Sequence, residues 1–237
     1  MADKGTWGTA ALFQFIPIIG PIAVQGWHAE ILQRLVKGHP QPVAPLKFDD
    51  LMKLLSRGLP AFLVALVAGG IFGLVIGVPM GCLGGVMSAM LGASGGGGEE
   101  GGLAAALFMM FAGVMMFTIT LPAGMMINGA TLRAELTEDF SASLKFGEVW
   151  DYVKRTWVTQ LVAGIGFAFF AWLMAFAGML VCFVGIYAVV PMLSLGALHL
   201  RFQMYQLYLS RGGSPIPMKV DPMPMAPPGG GGYAPTY

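Results

Sequence analysis

Apolar residues run in long unbroken stretches, and most stretches end at a cluster of basic residues. A bilayer core about 30 Å thick takes roughly 20 helical residues. The first stretch, 7–27, is interrupted by Pro17, Gly20 and Pro21, which predicts a kinked or partly unwound helix. The second runs over about 59–80 and the third over about 103–128. Residues 157–200 contain no Asp, Glu, Lys or Arg. As one helix they would be about 66 Å long, twice the core. The segment therefore folds back, and 178–185, bounded by glycines, is the expected turn. Spans four and five then cover about 157–179 and 185–208. The amino end does not read as a secretory signal, since Lys4 is offset by Asp3 and prolines break the apolar run. Residues 210–237 are rich in Pro and Gly without apolar periodicity, which predicts a disordered tail.

The chain also resembles itself. Phe48, Leu51, Met52, Leu55 and Leu59 match Phe146, Val149, Trp150, Val153 and Trp157 at an offset of 98. Both sets are spaced i, i+3, i+4, i+7, i+11, one apolar face of a helix. Lys47, Asp49, Asp50, Lys53 and Arg57 lie off that face in the first copy, as do Lys145, Glu148, Asp151, Lys154 and Arg155 in the second. Each copy reads as an amphipathic helix at the membrane interface, with Phe48, Leu51, Met52, Leu55, Phe146, Val149, Trp150 and Val153 as its lipid-side residues. Pro17, Pro122 and Pro191 each fall inside an odd-numbered span. Pro17 and Pro191 are 174 apart, and at that offset Lys37-Gly38 matches Arg211-Gly212, each followed by a Pro-x-Pro. The expected fold is all-α: a polytopic transmembrane bundle of about five spans. It is built from two parallel repeats (about 7–80 and 103–179) and a closing helix (about 185–209).

Composition agrees. Hydrophobic residues make up 56% of the 237 and charged residues only 11%, where a soluble domain carries about a quarter. The net charge of +1 gives no electrostatic case for nucleic acid. Twelve of the thirteen Lys and Arg fall between spans one and two, between spans three and four, or at and after the end of span five. Basic residues are retained on the cytoplasmic side, so the N-terminus is expected outside and the C-terminus inside a bacterial inner membrane.

Gly69, Gly73, Gly77, Gly81 and Gly85 stand at steps of four, a strip along which another helix can approach closely. The partner is either a span of the same chain or a second protomer, and Pro79 is expected to bend the helix. Cys82 and Cys182 occupy corresponding places near the outer ends of spans two and four, as small buried residues or a disulfide. The 18 Met are read as flexible packing rather than a copper site. With His28, His39 and His199 the two cysteines make no metal-ligand spacing. Gly92-Ala93-Ser94-Gly95-Gly96 fits a nucleophile-elbow pattern but sits in a glycine-rich loop without a strand or triad partners. No catalytic residue, cofactor or metal is expected. Charge deep in the spans is absent, and His199 and Arg201 are expected to snorkel from the inner end of span five.

The broken first span, Val36-Lys37-Gly38, a Pro-rich link and Leu46-Lys47-Phe48-Asp49-Asp50 resemble the uncharacterised prokaryotic membrane family known as domain of unknown function 4013. The closing stretch, with Cys182, Gly185, Pro191 and Tyr205-Gln206-Leu207-Tyr208, is similar to glycine-rich membrane proteins grouped near it. The resemblance implies fold and membrane location over about 12–210, and no activity. The expected function is non-enzymatic: a structural or lipid-interacting protein, self-associating through the glycine strip. Its tail would recruit a cytoplasmic partner. The alternative is a small transporter or channel subunit.

Overall fold

The structure is a computed structural model that describes residues 4–93, 99–180 and 184–219. All regular elements among them are helical: α1 (Lys4–Phe13), α2 (Ile19–Val36), α3 (Leu51–Phe72), α4 (Val78–Ala93), α5 (Glu99–Thr137), α6 (Phe140–Ser143), α7 (Phe146–Leu180) and α8 (Val184–Ser210). A 3₁₀ turn, Phe48–Asp50, leads into α3, and a π-helical turn, Gly73–Gly77, joins α3 to α4.

The break expected near Pro17 separates α1 from α2. Pro17 C=O accepts the Ile19 N–H at 2.7 Å, a γ-turn that holds the exposed Ile18 at φ 66°, a strained conformation for a β-branched residue. The chain then turns so tightly that Gly20 lies against the Phe13 carbonyl. The expected bend near Pro79 falls one turn earlier, as the π turn. Proline cannot donate to the carbonyl four residues back, and the wider turn absorbs that loss.

Helices α2 and α3 form an antiparallel hairpin in backbone contact. A Cβ at Gly26 would overlap the Leu54 carbonyl, and one at Gly58 would overlap the Ile22 carbonyl. Arg57 with Glu138 and Val64 with Ala134 make α3 antiparallel to α5. Arg133 with Glu148 and Asn128 with Gln160 do the same for α5 and α7. Gly178 beside Gly185 and Arg155 beside Arg211 do so for α7 and α8. So α2, α5 and α8 run in one sense, and their C-terminal ends meet at one end of the bundle.

Each of these three helices stops at a residue in the left-handed region: Gly38 at φ 66°, Glu138 at φ 51° and Gly212 at φ 77°. Gly38 and His39 donate to Leu35 and Arg34, and Gly212 and Gly213 donate in the same pattern to Leu209 and Tyr208. These are matching glycine caps, 174 residues apart. After Glu138, Asp139 accepts the Ser141 N–H at 2.8 Å and starts α6. That bond holds its carboxyl below the usual carboxylate range.

The core gathers at the capped end around Trp27, Leu32, Leu132, Leu136, Leu198 and Tyr205. Residues 211–219, expected as the start of a disordered tail, instead strap back over it. Ile216 is buried and its N–H donates to Tyr205 Oη at 3.0 Å, and the Lys219 N–H donates to the Leu136 carbonyl at 3.2 Å. The apolar side chain of Ile216 between two prolines supplies the driving force. The rest of the expected tail lies outside the described residues, as do Ser94 and Cys182; Cys82 is exposed.

Away from this end the helices are bare. Among the described residues three stretches are long and apolar enough to cross a membrane: Phe48–Val86, Ala106–Thr137 and Phe146–Leu180. Only 17%, 6% and 6% of their most apolar windows are buried within the chain. Such uncovered area requires lipid or a partner. The first expected span, 7–27, is divided between α1 and the first half of α2. The second half of α2 carries His28, Glu30, Gln33 and Arg34, and α8 carries Arg201.

The segments expected as interfacial amphipathic helices feeding the next spans are the first turns of the long helices, and α7 runs unbroken from Phe146. Met52 is 78% exposed, Phe146 70%, Trp150 50% and Phe48 49%. Val149 and Val153 point into the protein, at 1% and 6%, and Leu51 and Leu55 pack against the core. A shared face in sequence does not say whether protein or lipid covers it. No atom lies within 4 Å of a Cβ built at Gly69, Gly73, Gly77, Gly81 or Gly85.

Gly26→Leu and Gly58→Leu are therefore expected to lower the thermal stability of the purified protein by about 3 kcal/mol or more, through overpacking. Gly69→Ala, by contrast, should stabilise it by up to about 1 kcal/mol through helix propensity.

Candidate functional site

Charged residues at the capped end of the bundle form an ionic knot in two tiers. The lower tier is centred on Arg57, placed by Gly58, whose missing side chain brings α3 against α2. Arg57 is 4% exposed. Its Nε donates to Glu138 Oε1 at 2.6 Å, its Nη2 to Gln33 Oε1 at 2.7 Å and its Nη1 to Glu30 Oε2 at 3.3 Å. Glu30, Gln33 and Arg34 share one face of α2 by spacing, and Arg34 pairs with Glu30 at 2.6 Å. Lys219 Nζ reaches Glu138 Oε2 at 3.4 Å from the strap.

The same contacts complete the end of α5, whose last carbonyls have no helical partner. Gln33 Nε2 donates to the Glu135 carbonyl at 3.0 Å and to the Leu136 carbonyl at 3.3 Å. Glu138 N–H takes the Ala134 carbonyl, and Thr137 Oγ1 takes that of Arg133. One buried glutamine from α2 thus serves as an interhelical cap.

The upper tier is centred on Arg201 of α8. Its Nη1 donates to Glu135 Oε1 at 2.5 Å and its Nε to Asn128 Oδ1 at 3.0 Å. Gln160 continues the chain by donating from Nε2 to Thr156 Oγ1 at 2.7 Å, with Asn128 Nδ2 3.5 Å from its own Oε1. His28 Nε2 and Ser194 Oγ stand 3.3 Å apart, linking α2 to α8. Arg201 therefore turns into the bundle rather than snorkelling out. The reason is Glu135, which is fully buried and demands a counter-charge. Glu135 Oε2 and Tyr152 Oη have no hydrogen-bond partner.

Outside the two tiers, Arg133 bonds Glu148 and the Ala142 carbonyl. Arg155 pairs with Asp151 at 2.9 Å, and Arg155 and Arg211 each donate to the other's carbonyl. Among the described residues no group of three or more His, Cys, Asp or Glu could hold a metal.

Directly above the upper tier a groove of about 420 Å³ opens between α5 and α7. Phe117, Leu121, Met125, Leu161 and Gly164 form its walls, and Asn128 and Gln160 its polar end. A second, apolar recess of about 120 Å³ lies between α3 and α5, closed below by Phe140 and Phe146. The structure thus joins Arg57 and Arg201, which sequence reading placed in solvent or at the interface, to Glu30, Glu135 and Glu138. Two features signalled this: the i, i+3 spacing of Glu135 with Glu138 and of Glu30 with Gln33, and an arginine beside a glycine.

Arg57→Met removes the guanidinium that ties Glu138, Gln33 and Glu30 together and leaves Lys219 and Arg34 beside the two carboxylates. It should cost about 3–5 kcal/mol in thermal or denaturant unfolding of the purified protein. Arg57→Met with Glu138→Gln should recover part of that loss.

No curated protein and no solved structure matches the chain. One family model does, over residues 9–190, from α1 into the first two turns of α8. The chain belongs to the family described as protein of unknown function (DUF4013).

Proposed function

We propose that this is a non-enzymatic, multi-pass membrane protein with a structural or lipid-interacting role. The carrying observation is the division of the molecule into an ion-paired end and bare apolar helices that the other described residues leave largely uncovered. In this reading five passes, the three long helices together with α1–α2 and α8, are threaded as two parallel repeats and a closing helix. The common direction of α2, α5 and α8 and the matching caps at Gly38 and Gly212 support it. The capped, basic end faces the cytoplasm of a bacterial inner membrane and the N-terminus lies outside. Phe48, Met52, Phe146 and Trp150 anchor that end in the interface. The glycine strip, open along its length, supports self-association, and the tail beyond Lys219 is a site for a cytoplasmic protein.

Two measurements test this. In a chain freed of native cysteines, Ser94→Cys should react with an impermeant probe from outside and Lys145→Cys only after permeabilisation; the reverse result contradicts the orientation. Gly73→Leu and Gly77→Leu should reduce the particle size in detergent, and an unchanged lone protomer contradicts self-association.

The groove ending at Asn128 and Gln160 favours a second reading, a small transporter or channel subunit. Solute flux into proteoliposomes that is lost on altering Asn128 would establish it over the first.

A further inference from the structure

The geometry points to the α5–α7 groove as a lateral binding site for one membrane phosphoglyceride with an anionic headgroup. The groove opens onto the bare apolar faces of two helices long enough to cross a membrane, so the phase that reaches it is lipid. It is not uniformly apolar. Its inner end carries two side-chain amides, Asn128 and Gln160, and Gln160 is 5% exposed.

That end coincides with the water boundary on α7. Lys154 and Trp157 precede Leu161 and Gly164 on the same helical stripe, at spacings i, i+3, i+7, i+10. Trp157 is exposed, and Lys154 is exposed with its Nζ 5.6 Å from the Trp150 ring centre. Aromatic rings and lysines at this depth mark the headgroup layer. From the inner end outward, the stripe offers a cation, an aromatic belt, two amides and an apolar channel. This is the polarity order of a phosphoglyceride: phosphate, glycerol with ester carbonyls, acyl chain. The amides bond the ester region, the chain lies against Gly164, and Lys154 meets the phosphate. The volume is in the range of small-ligand sites. The assignment rests on the membrane reading above and deepens it.

The test uses the full chain in detergent, incubated with phosphatidylglycerol or phosphatidylcholine and examined by native mass spectrometry. The wild type should retain one phosphatidylglycerol. Gly164→Phe, whose Cβ would have no neighbour within 4 Å, should lose it, as should Thr120→Phe from the α5 side, with helix content unchanged in both. Lys154→Gln should keep a lipid but lose about fivefold in preference for phosphatidylglycerol. Retention of the lipid by both Phe variants overturns the site. Flotation with phosphatidylglycerol vesicles separates the two levels. If the wild type fails to float, the membrane reading falls and the site with it. If it floats and the Phe variants keep their lipid, only the groove assignment falls.

Discussion

Buried charge must be paired, and that requirement organises this molecule. Glu135 is fully buried near the end of α5, and Glu138, just past that end, has a side chain only 5% exposed. Each demands a cation, and the cations come from different helices: Arg201 from α8 and Arg57 from α3. Gln33 from α2 adds neutral bonds to the same turn. One short segment of α5 thereby fixes the positions of three other helices. In lipid no hydrophobic force drives helix against helix, so directional bonds and close backbone packing at Gly26 and Gly58 must do the work.

The same requirement explains where order is concentrated. Ion pairs among the described residues lie at the capped end, close to where basic residues cluster in sequence. Further out, Val78, Leu83 and Val86 of α4 and Leu103, Leu107 and Met109 of α5 present exposed apolar surface. The molecule is thus divided into an ion-paired end and long helices whose described surface is apolar and largely uncovered.

Much of the helical layout was legible in the sequence. Charge-free runs located the long helices, Pro17 the first break, and the 178–185 stretch the last one. The glycine step pattern drew attention to 69–85, where no neighbour in the chain lies close, while the close crossing uses two isolated glycines, Gly26 and Gly58. A lone glycine carries no periodic signal, and only the tertiary pairing reveals its role. The ionic knot was hidden for a related reason. Arg57 and Arg201 look like ordinary flanking basic residues until α5 is set beside them. Ile216 was obscured by the prolines around it, whose composition resembles a free tail.

The most direct test of the claim that ion pairing holds the bundle is a double-mutant cycle between Arg201 and Glu135, read as unfolding free energy in lipid nanodiscs. Arg201→Met and Glu135→Gln should each be destabilising, with the double variant recovering a coupling of about 2 kcal/mol or more. Strictly additive effects, or single variants as stable as the parent, would contradict the account.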